Sequence, residues 1–184
     1  MDKIIFLDID GVLNHQKIYE ERFKALNKEK YRDEYGDLFC PTSAKLLNNL
    51  IEQLNTKIVI SSTWRGSGFE VMKNMWRDRK MKGEVIGVTP ILHIIRGIEI
   101  EDWLRQERNF YHLNWDKNEQ MKIMKKSKIN NYIIIDDDSD MTYNQRHQFI
   151  HVLPSPRNLS GFNKRYFNKA AKTLNKTIID LNYK

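Results

Sequence analysis

Two carboxylates stand where the first apolar run of the chain ends. Residues 3–7 read KIIFL and are followed by Asp8 and Asp10, with Gly11 directly after them. Alternate residues of an extended chain point to the same side, so Asp8 and Asp10 share one side and repel each other unless a positive charge lies between them. A hard cation with oxygen ligands is the natural partner of such a pair. The pair therefore predicts a cation site.

A second acidic group follows a later apolar run. Residues 131–135 read NYIII, and four acids come within the next five residues: Asp136, Asp137, Asp138 and Asp140. Such a group repels itself strongly without a counter-ion. A calcium loop is the competing interpretation, but the glycine and the terminal glutamate of an EF-hand are missing at the required offsets. We expect Asp138 and Asp140 to cap or turn the loop.

Hydroxyl groups and an arginine follow a third apolar run. Residues 57–60 read KIVI and lead into Ser61, Ser62, Thr63, Trp64 and Arg65. The planar fork of an arginine side chain suits phosphate. Taken alone, the segment is equally compatible with a simple loop of hydroxyl residues.

The apolar runs predict the strands that position these groups. A near-continuous apolar run as short as residues 3–7 suits the middle of a parallel sheet better than a helix. Residues 42–55 have leucine and isoleucine at helical spacing and predict an amphipathic helix. With the strand at 57–60 they complete a βαβ unit, whose two strands must be parallel. The hydroxyls after this strand therefore lie at the same sheet edge as Asp8 and Asp10.

The same patterns predict the remaining elements. Helices are expected over residues 69–82, 98–104, 118–126 and 163–175, and strands over residues 84–88, 131–135 and 149–153. Arg96 stands shortly before one of these helices. The length of 184 residues allows one α/β domain with a substantial core, but not two large domains.

The first motif resembles that of the haloacid dehalogenase (HAD) superfamily, an apolar strand followed by DxDGV or DxDGT. Here the motif consists of Asp8, Ile9, Asp10, Gly11 and Val12. The resemblance implies that Asp8 is the nucleophile that becomes an aspartyl phosphate. It also implies that Asp10 is the acid/base that protonates the leaving group. An aspartate at position 10 favours phosphatase or phosphotransferase activity over dehalogenation.

The hydroxyl and basic groups match later motifs of the superfamily. The resemblance implies that Ser61 or Ser62 hydrogen-bonds a phosphate oxygen, and the position one step further beyond the apolar run favours Ser62. Arg65 is expected to contact phosphate or substrate. Arg96 is our choice for the basic residue of the third motif, which neutralises the nucleophile and the phosphate. Other residues compete for this role, namely Lys122, Lys125 and Lys126.

The acidic group at residues 136–140 resembles the DD form of the fourth motif, which supplies the remaining Mg²⁺ ligands. The register indicates Asp137 as a direct ligand and Asp136 as a direct or outer one. The predicted metal site consists of Asp8, Asp10, Asp136 and Asp137. The implied fold is α/β, a HAD-like Rossmannoid three-layer sandwich with a central parallel sheet and small insertions.

Two segments interrupt the predicted core. Residues 15–40 lie where the superfamily carries cap insertions, but the segment is too short for a full cap domain. Its aromatic residues are expected to pack onto the core, with stacking on a base or a sugar as the alternative. Residues 105–131 form a second insertion, rich in basic and aromatic side chains. We therefore predict a single domain of the small-cap type over residues 1–184.

Positive charge is concentrated near the end of the chain. The formal net charge is +7, and residues 141–184 contain eight lysines or arginines against the single acid Asp180. A basic surface attracts polyanions, so nucleic acid is an admissible partner. A solvated helix face in a lysine-rich protein explains the same pattern equally well.

Composition excludes several classes of protein. Cys40 is the only cysteine, so no internal disulfide can form, and no spacing of cysteine or histidine indicates zinc. The five histidines are expected to be structural or exposed. No apolar stretch approaches the ~20 residues of a membrane span, and no signal-peptide pattern precedes the first strand. We expect a soluble, cytoplasmic protein, and the sequence does not indicate its oligomeric state.

Three functions are compatible with the motifs. The first is Mg²⁺-dependent hydrolysis of a phosphomonoester through an aspartyl phosphate, on a nucleotide or a nucleic-acid terminal phosphate. The second keeps this chemistry but acts on a small metabolite such as a sugar phosphate. The third is a non-catalytic HAD-like module that binds nucleic acid or protein, against which the intact Asp8, Asp10 and Asp137 argue. The short cap segment leaves the site open and favours a large substrate.

Overall fold

Five parallel strands form the sheet at the centre of the protein. A computed structural model describes residues 3–24, 29–92, 94–109, 131–153, 157 and 160–182. The sheet consists of β1 (Lys3–Leu7), β4 (Thr56–Ile60), β5 (Val85–Val88), β6 (Tyr132–Asp136) and β7 (Phe149–His151). Two further short strands, β2 (Arg32–Asp33) and β3 (Gly36–Asp37), pair with each other. The helices are α1 (Gln16–Phe23), α2 (Pro41–Leu54), α3 (Phe69–Asp78), α4 (Arg96–Asn109) and α5 (Lys164–Asn182), with short 3₁₀ turns at Glu29–Tyr31, Thr63–Ser67 and Tyr143–Gln145.

The sheet has the order β5-β4-β1-β6-β7, with every neighbouring pair parallel. Leu7 at the end of β1 lies opposite both Ile60 of β4 and Ile135 of β6. The backbone N–H of Ser61 donates to the carbonyl of Leu7, and that of Asp8 donates to the carbonyl of Ile135, each at 2.9 Å. The chain therefore leaves the three central strands at one level, which brings together the residues that follow them.

Helices cover both faces of the sheet. Ile5 and Leu7 of β1 belong to the core formed with α2, α3 and α5, whereas Ile4 and Phe6 belong to the core formed with α4. The Phe6 ring meets Trp103 of α4 edge-on, at 5.3 Å between ring centroids. Side chains that alternate between two cores explain why β1 is apolar throughout. The predicted α/β fold, a HAD-like three-layer sandwich with a central parallel sheet, is confirmed.

Two helices differ in their ends from the bounds predicted by the sequence. The helix expected over 69–82 ends at Asp78, and positive φ angles follow it at Lys80 and Gly83. The helix expected from 98 begins at Arg96, because the carboxylate of Asp140 accepts the Arg96 N–H at 2.7 Å. Asp140 therefore caps the start of α4, whereas the sequence predicted that it caps or turns its own loop. The helix expected over 118–126 lies outside the described residues.

A small hairpin, β2 and β3, belongs to the segment predicted as a cap-like insertion. Asp33 pairs with Arg79 beyond the end of α3 at 2.7 Å, and the Tyr35 hydroxyl donates to Asp78 at 2.6 Å. Gly36 of the hairpin lies against the Trp64 ring, because a Cβ there would be 3.4 Å from it. The hairpin is therefore fixed between α3 and the segment that follows β4.

The described helices include none that is both long and apolar enough to cross a membrane.

Gly97 allows α4 to begin close to the loop after β6. Its N–H donates to the Asp140 carbonyl at 3.3 Å, and its carbonyl accepts from Gln145 Nε2 at 2.8 Å. A Cβ at this position would lie 2.9 Å from Met141 Cα and closer still to the backbone N of Thr142. Backbone atoms cannot give way as a flexible side chain can. The start of α4 therefore depends on a residue without a Cβ.

We expect Gly97→Ala to lower the free energy of unfolding by about 1–3 kcal/mol, the usual effect of overpacking. The matched control is Gly66→Ala, because a Cβ at Gly66 meets nothing within 4 Å. This control should change stability by less than about 0.5 kcal/mol. Urea denaturation followed by circular dichroism measures both variants, and equal effects would contradict the packing described for Gly97.

Candidate active site

Three carboxylates meet at the carboxyl end of the central strands. Asp8 follows β1, Asp136 ends β6, and Asp137 comes directly after it. One carboxylate oxygen from each lies within 4.8 Å of those from the other two. Asp8 and Asp136 are buried, and Asp137 is partly buried. The structure thus brings together three of the four predicted metal ligands.

Gly11 allows this close approach. It has a φ of +73°, a backbone conformation that side chains other than glycine rarely adopt. A Cβ at Gly11 would collide with the carboxylate of Asp137. The turn after β1 can therefore press against the loop after β6 only because position 11 carries no side chain.

Burial dominates the electrostatics of the cluster. It raises the pKa of Asp8 to about 7 and that of Asp136 to about 8. The positive charge of Arg96 opposes both rises, whereas Asp137 adds to the rise at Asp8 and Asp8 adds to the rise at Asp136. Burial also raises the pKa of Asp137. Without a cation, protons therefore stay on this cluster at pH values where isolated carboxyl groups are ionised.

The residues present fit a divalent cation. Oδ1 of Asp136 accepts the Asp138 N–H at 2.9 Å, but its buried Oδ2 accepts no hydrogen bond from the described residues. Carboxylate oxygens gathered at this distance are the ligands that hard cations such as Mg²⁺ prefer. The cluster can hold a metal ion, with Asp8, Asp136 and Asp137 as the ligands.

Arg96 brings a positive charge to the same place. Its Nε lies 3.7 Å from Asp136 Oδ2, and its side chain is only 10 % exposed. Nη1 is buried and donates no hydrogen bond within the described part of the chain. Arg96 therefore lies at the site as the sequence predicted, with a buried donor available. The competing residues Lys122, Lys125 and Lys126 lie outside the described residues.

The two serines after β4 have different surroundings. Both are fully buried. The Ser62 hydroxyl hydrogen-bonds Asp8, and it accepts the Trp64 N–H at 3.4 Å. The Ser61 hydroxyl is buried without a hydrogen-bond partner among the described residues. The structure therefore brings Ser62, the serine favoured by register, into contact with the predicted nucleophile.

Arg65, predicted to contact phosphate, contacts several protein acceptors. Its guanidinium donates to the carbonyls of Ser61 and Ser62 at 3.1 and 2.7 Å, and to that of Thr89 at 3.2 Å. It also forms a buried ion pair with Glu99 of α4. Each of its nitrogens already has a protein acceptor, since Nη2 contacts Glu99 and Nη1 and Nε contact carbonyls. Arg65 therefore ties the end of β4 to the residue after β5 and to α4, and its expected contact with phosphate stays a prediction.

Asp10, predicted to be a metal ligand, accepts hydrogen bonds from two side chains. Its carboxylate accepts two hydrogen bonds of 2.9 Å, one from the Tyr19 hydroxyl and one from Trp64 Nε1. The carboxylate cluster that could hold a metal consists of Asp8, Asp136 and Asp137. The Asp10 side chain is therefore oriented by Tyr19 and Trp64, and its place among the predicted metal ligands stays a prediction.

The sequence patterns do not indicate the contacts of Tyr19, Trp64 and Glu99. Trp64 follows the serines directly, so its place next to a motif was the available indication. Tyr19 lies in the segment between β1 and α2, where aromatic residues are frequent, and nothing in the sequence distinguishes it from Tyr31 or Tyr35. The partner of Arg65 is thirty-four residues away from it, at Glu99. Such contacts follow only from the tertiary structure.

A protein-family model matches most of the chain. The family is described as the HAD domain in Swiss Army Knife RNA repair proteins, and its model matches residues 4–158. The chain belongs to this family. The matched part of this HAD domain runs from β1 through β7 and includes every predicted site residue. The searches of curated proteins and of solved structures found no match.

Membership of the HAD superfamily, predicted from the first motif, is thereby confirmed. It supports HAD-type phosphatase activity in general.

The raised pKa values predict opposite pH dependences for metal binding and for metal-free stability. Mg²⁺ must displace the protons on Asp8 and Asp136, so its affinity should rise at least about tenfold between pH 6 and pH 8. The metal-free protein binds these protons more tightly when folded than when unfolded. Its melting temperature should therefore fall as the pH rises from about 4 towards 8.

Titration calorimetry with Mg²⁺ and thermal melts in EDTA measure the two trends. Asp136→Asn is the informative variant, because it removes one titrating group and should flatten the pH dependence of the melting temperature. The control Glu52→Gln changes an exposed acid that pairs with Lys82, and it should keep the wild-type trend. Mg²⁺ affinity that is independent of pH would contradict the protonation described for the cluster.

Proposed function

We propose that this protein is a Mg²⁺-dependent phosphomonoester hydrolase that acts through an aspartyl phosphate on Asp8. We further propose that its substrate is a nucleotide or, preferentially, the phosphorylated end of a nucleic acid. One observation carries the catalytic part of the proposal. The buried carboxylate of Asp8, two further carboxylates and an arginine whose buried Nη1 has no partner among the described residues converge at one sheet edge.

In the first half of the reaction, a carboxylate oxygen of Asp8 attacks the phosphorus atom. An anion needs no general base for this step. The bond from phosphorus to the leaving oxygen breaks, and that oxygen takes a proton from the carboxylic acid of Asp10. Arg96 and the Ser62 hydroxyl stabilise the charge on the phosphoryl oxygens. A Mg²⁺ ion held by Asp8, Asp136 and Asp137 would supply further charge neutralisation.

In the second half, a water molecule attacks the phosphorus atom of the aspartyl phosphate. Asp10, now a carboxylate, takes a proton from this water. The bond between phosphorus and the Asp8 oxygen breaks, which releases inorganic phosphate and restores the Asp8 carboxylate. Asp10 returns to its acidic form and can protonate the next leaving group. The first half-reaction thus leaves Asp10 as the carboxylate that the second half requires, and the second half restores its protonated form.

The contacts of Asp10 support its role in this cycle. Tyr19 and Trp64 each donate to one oxygen of the carboxylate, and together they hold it in a single orientation. A group that first gives and then takes a proton must stay directed at the scissile bond. Tyr19 comes from α1 and Trp64 from the turn after β4. The small insertion therefore takes part in positioning the proposed acid/base.

Three features support a nucleic-acid end as the substrate. The family to which the chain belongs is named for RNA repair proteins. The net charge is +7, and the charge excess lies in residues 141–184. The segment between β1 and α2 is short, which suits a site that must admit the end of a long polymer. A small-metabolite phosphatase and a non-catalytic binding module are the alternatives that the experiments below distinguish.

We expect hydrolysis of an aryl phosphate to require Mg²⁺ and Asp8. EDTA should abolish turnover and added Mg²⁺ should restore it, because the repulsion at the site is then neutralised again. Asp8→Asn should lower kcat by more than about a thousandfold, because the nucleophile is lost. Asp10→Asn should lower it by about 10²–10⁴-fold.

Release of the aryl alcohol measures these rates, with Glu52→Gln as a charge-matched control on an exposed helix face. An acid-stable, hydroxylamine-sensitive phosphoryl adduct, trapped with radiolabelled substrate, tests the intermediate directly. Turnover that persists in EDTA and in Asp8→Asn would eliminate the proposed mechanism. Absence of turnover in the wild type with any phosphate ester would favour the binding module.

We expect kcat/KM to be higher for an oligoribonucleotide with a 3′- or 5′-terminal phosphate than for mononucleotides or sugar phosphates at the same salt concentration. Binding should weaken by roughly one power of salt concentration for each phosphate contact. A basic protein shows some salt dependence with any polyanion, so the comparison of turnover decides. Best turnover of sugar phosphates, with none of the oligonucleotide, would establish the small-metabolite alternative.

A further inference from the structure

A cavity of about 460 Å³ lies beside the proposed acid/base. It is formed by α1, by the 3₁₀ turn at Glu29–Tyr31 and by the hairpin. Its volume falls in the roughly 300–1,000 Å³ range of small-ligand sites. Tyr19 connects the cavity to the active site, since its side chain lines the cavity and its hydroxyl donates to Asp10. The cavity therefore adjoins the proposed acid/base and offers space for the part of a substrate beyond the reacting phosphate.

Arg22 is the unusual residue of this cavity. It lies one turn after Tyr19 on the same face of α1, and it is only 8 % exposed. Its Nε and Nη1 are buried and donate no hydrogen bond to any described residue. A buried guanidinium without acceptors is costly. An anion that accepts hydrogen bonds from Nε and Nη1 of Arg22 would remove this cost.

The neighbouring carboxylates have other partners. Glu20 accepts a hydrogen bond from Gln16 at 2.8 Å, and Asp37 pairs with Arg32 at 3.6 Å. Lys24 adds a further positive charge to the lining. Among the described residues, Arg22 therefore has no carboxylate as a hydrogen-bond partner. An anionic ligand would enter a lining with an excess of positive charge.

The cavity also has aromatic walls. The Tyr31 ring lies 5.6 Å from the guanidinium carbon of Arg22, and Tyr19 contributes a second ring. Planar aromatic rings accept bases by stacking without selecting a particular base. A planar guanidinium beside them matches the two oxygens of a phosphate. Stacking surface and phosphate-binding fork together fit one nucleotide unit.

We propose that this cavity binds the terminal nucleotide, which carries the reacting phosphate, with Arg22 holding the phosphodiester that links this nucleotide to the next one. The proposal rests on the proposed function and adds a subsite to it. When the terminal phosphate lies at Asp8, the leaving group passes Asp10 and Tyr19 and continues into the cavity. The subsite selects a polynucleotide end over a mononucleotide, because a mononucleotide has no second phosphate to offer.

The test compares two dinucleotide substrates with the same terminal phosphate. In one the linkage is a phosphodiester, and in the other it is an uncharged methylphosphonate. The wild type should prefer the phosphodiester by at least tenfold in kcat/KM, because Arg22 gains an acceptor and a charge partner. Arg22→Gln should reduce this preference to less than threefold. Arg105→Gln is the control, since Arg105 is exposed on α4 and pairs with Glu101 and Asp102; it should keep the wild-type preference.

Hydrolysis of an aryl phosphate, measured in the same preparations, separates this proposal from the proposed function. Failure of the wild type to hydrolyse it overturns the proposed function. Normal hydrolysis together with an equal rate on the two dinucleotides overturns the subsite, and so does a preference that Arg22→Gln leaves unchanged.

Binding measured without turnover gives an independent readout. Calorimetry in EDTA compares dinucleoside monophosphates with the charged or the uncharged linkage, neither of which carries a terminal phosphate. The wild type should bind the charged form at least tenfold more tightly. Because this comparison changes the ligand and not the protein, it decides the matter even if Arg22→Gln fails to fold, and equal affinities overturn the subsite.

Discussion

Repulsion among Asp8, Asp136 and Asp137 is the interaction on which the candidate active site depends. The shared register of β1, β4 and β6 forces these groups together, and burial makes their charges costly. Arg96 offsets only part of this cost, because one positive charge faces three carboxylates. Its Nε lies 3.7 Å from Asp136 Oδ2. A bound proton or a metal cation must neutralise the remaining negative charge. The same constraint that destabilises the metal-free protein therefore prepares the site for a divalent metal.

The arginine and the glutamate that pair behind the site give it a rigid frame. Arg65 joins the carbonyls at the end of β4 to the carbonyl after β5, and Glu99 holds its guanidinium from α4. A buried pair of this kind is costly to break on one side, since the remaining charge is left without a partner. Arg96 lies one turn before Glu99 on the same helix. The Arg65–Glu99 pair therefore helps to position Arg96, whose positive charge acts on Asp8.

The insertion between β1 and α2 takes part in the site instead of only covering it. Its helix supplies Tyr19 to Asp10, and its hairpin packs on Trp64, which contacts the other oxygen of the same carboxylate. Arg22 on that helix lines the adjoining cavity, and its buried Nε and Nη1 donate no hydrogen bond to the described residues. One short helix therefore contributes both to the orientation of Asp10, the proposed acid/base, and to the proposed subsite for the leaving group.

The sequence by itself determined the fold class and the carboxylate centre. Short apolar runs and a crossover helix dictate parallel strands, and residues that directly follow such strands must meet at one edge, so Asp8, Asp136 and Ser62 were predictable from local patterns. Tertiary structure decided the rest, including the partners of Arg65, the two donors to Asp10 and the start of α4 at Arg96. Each of these contacts joins residues that are distant along the chain, and many side chains of similar chemistry compete for them. Only packing selects one partner, because periodicity records which face a residue occupies and not which group lies opposite.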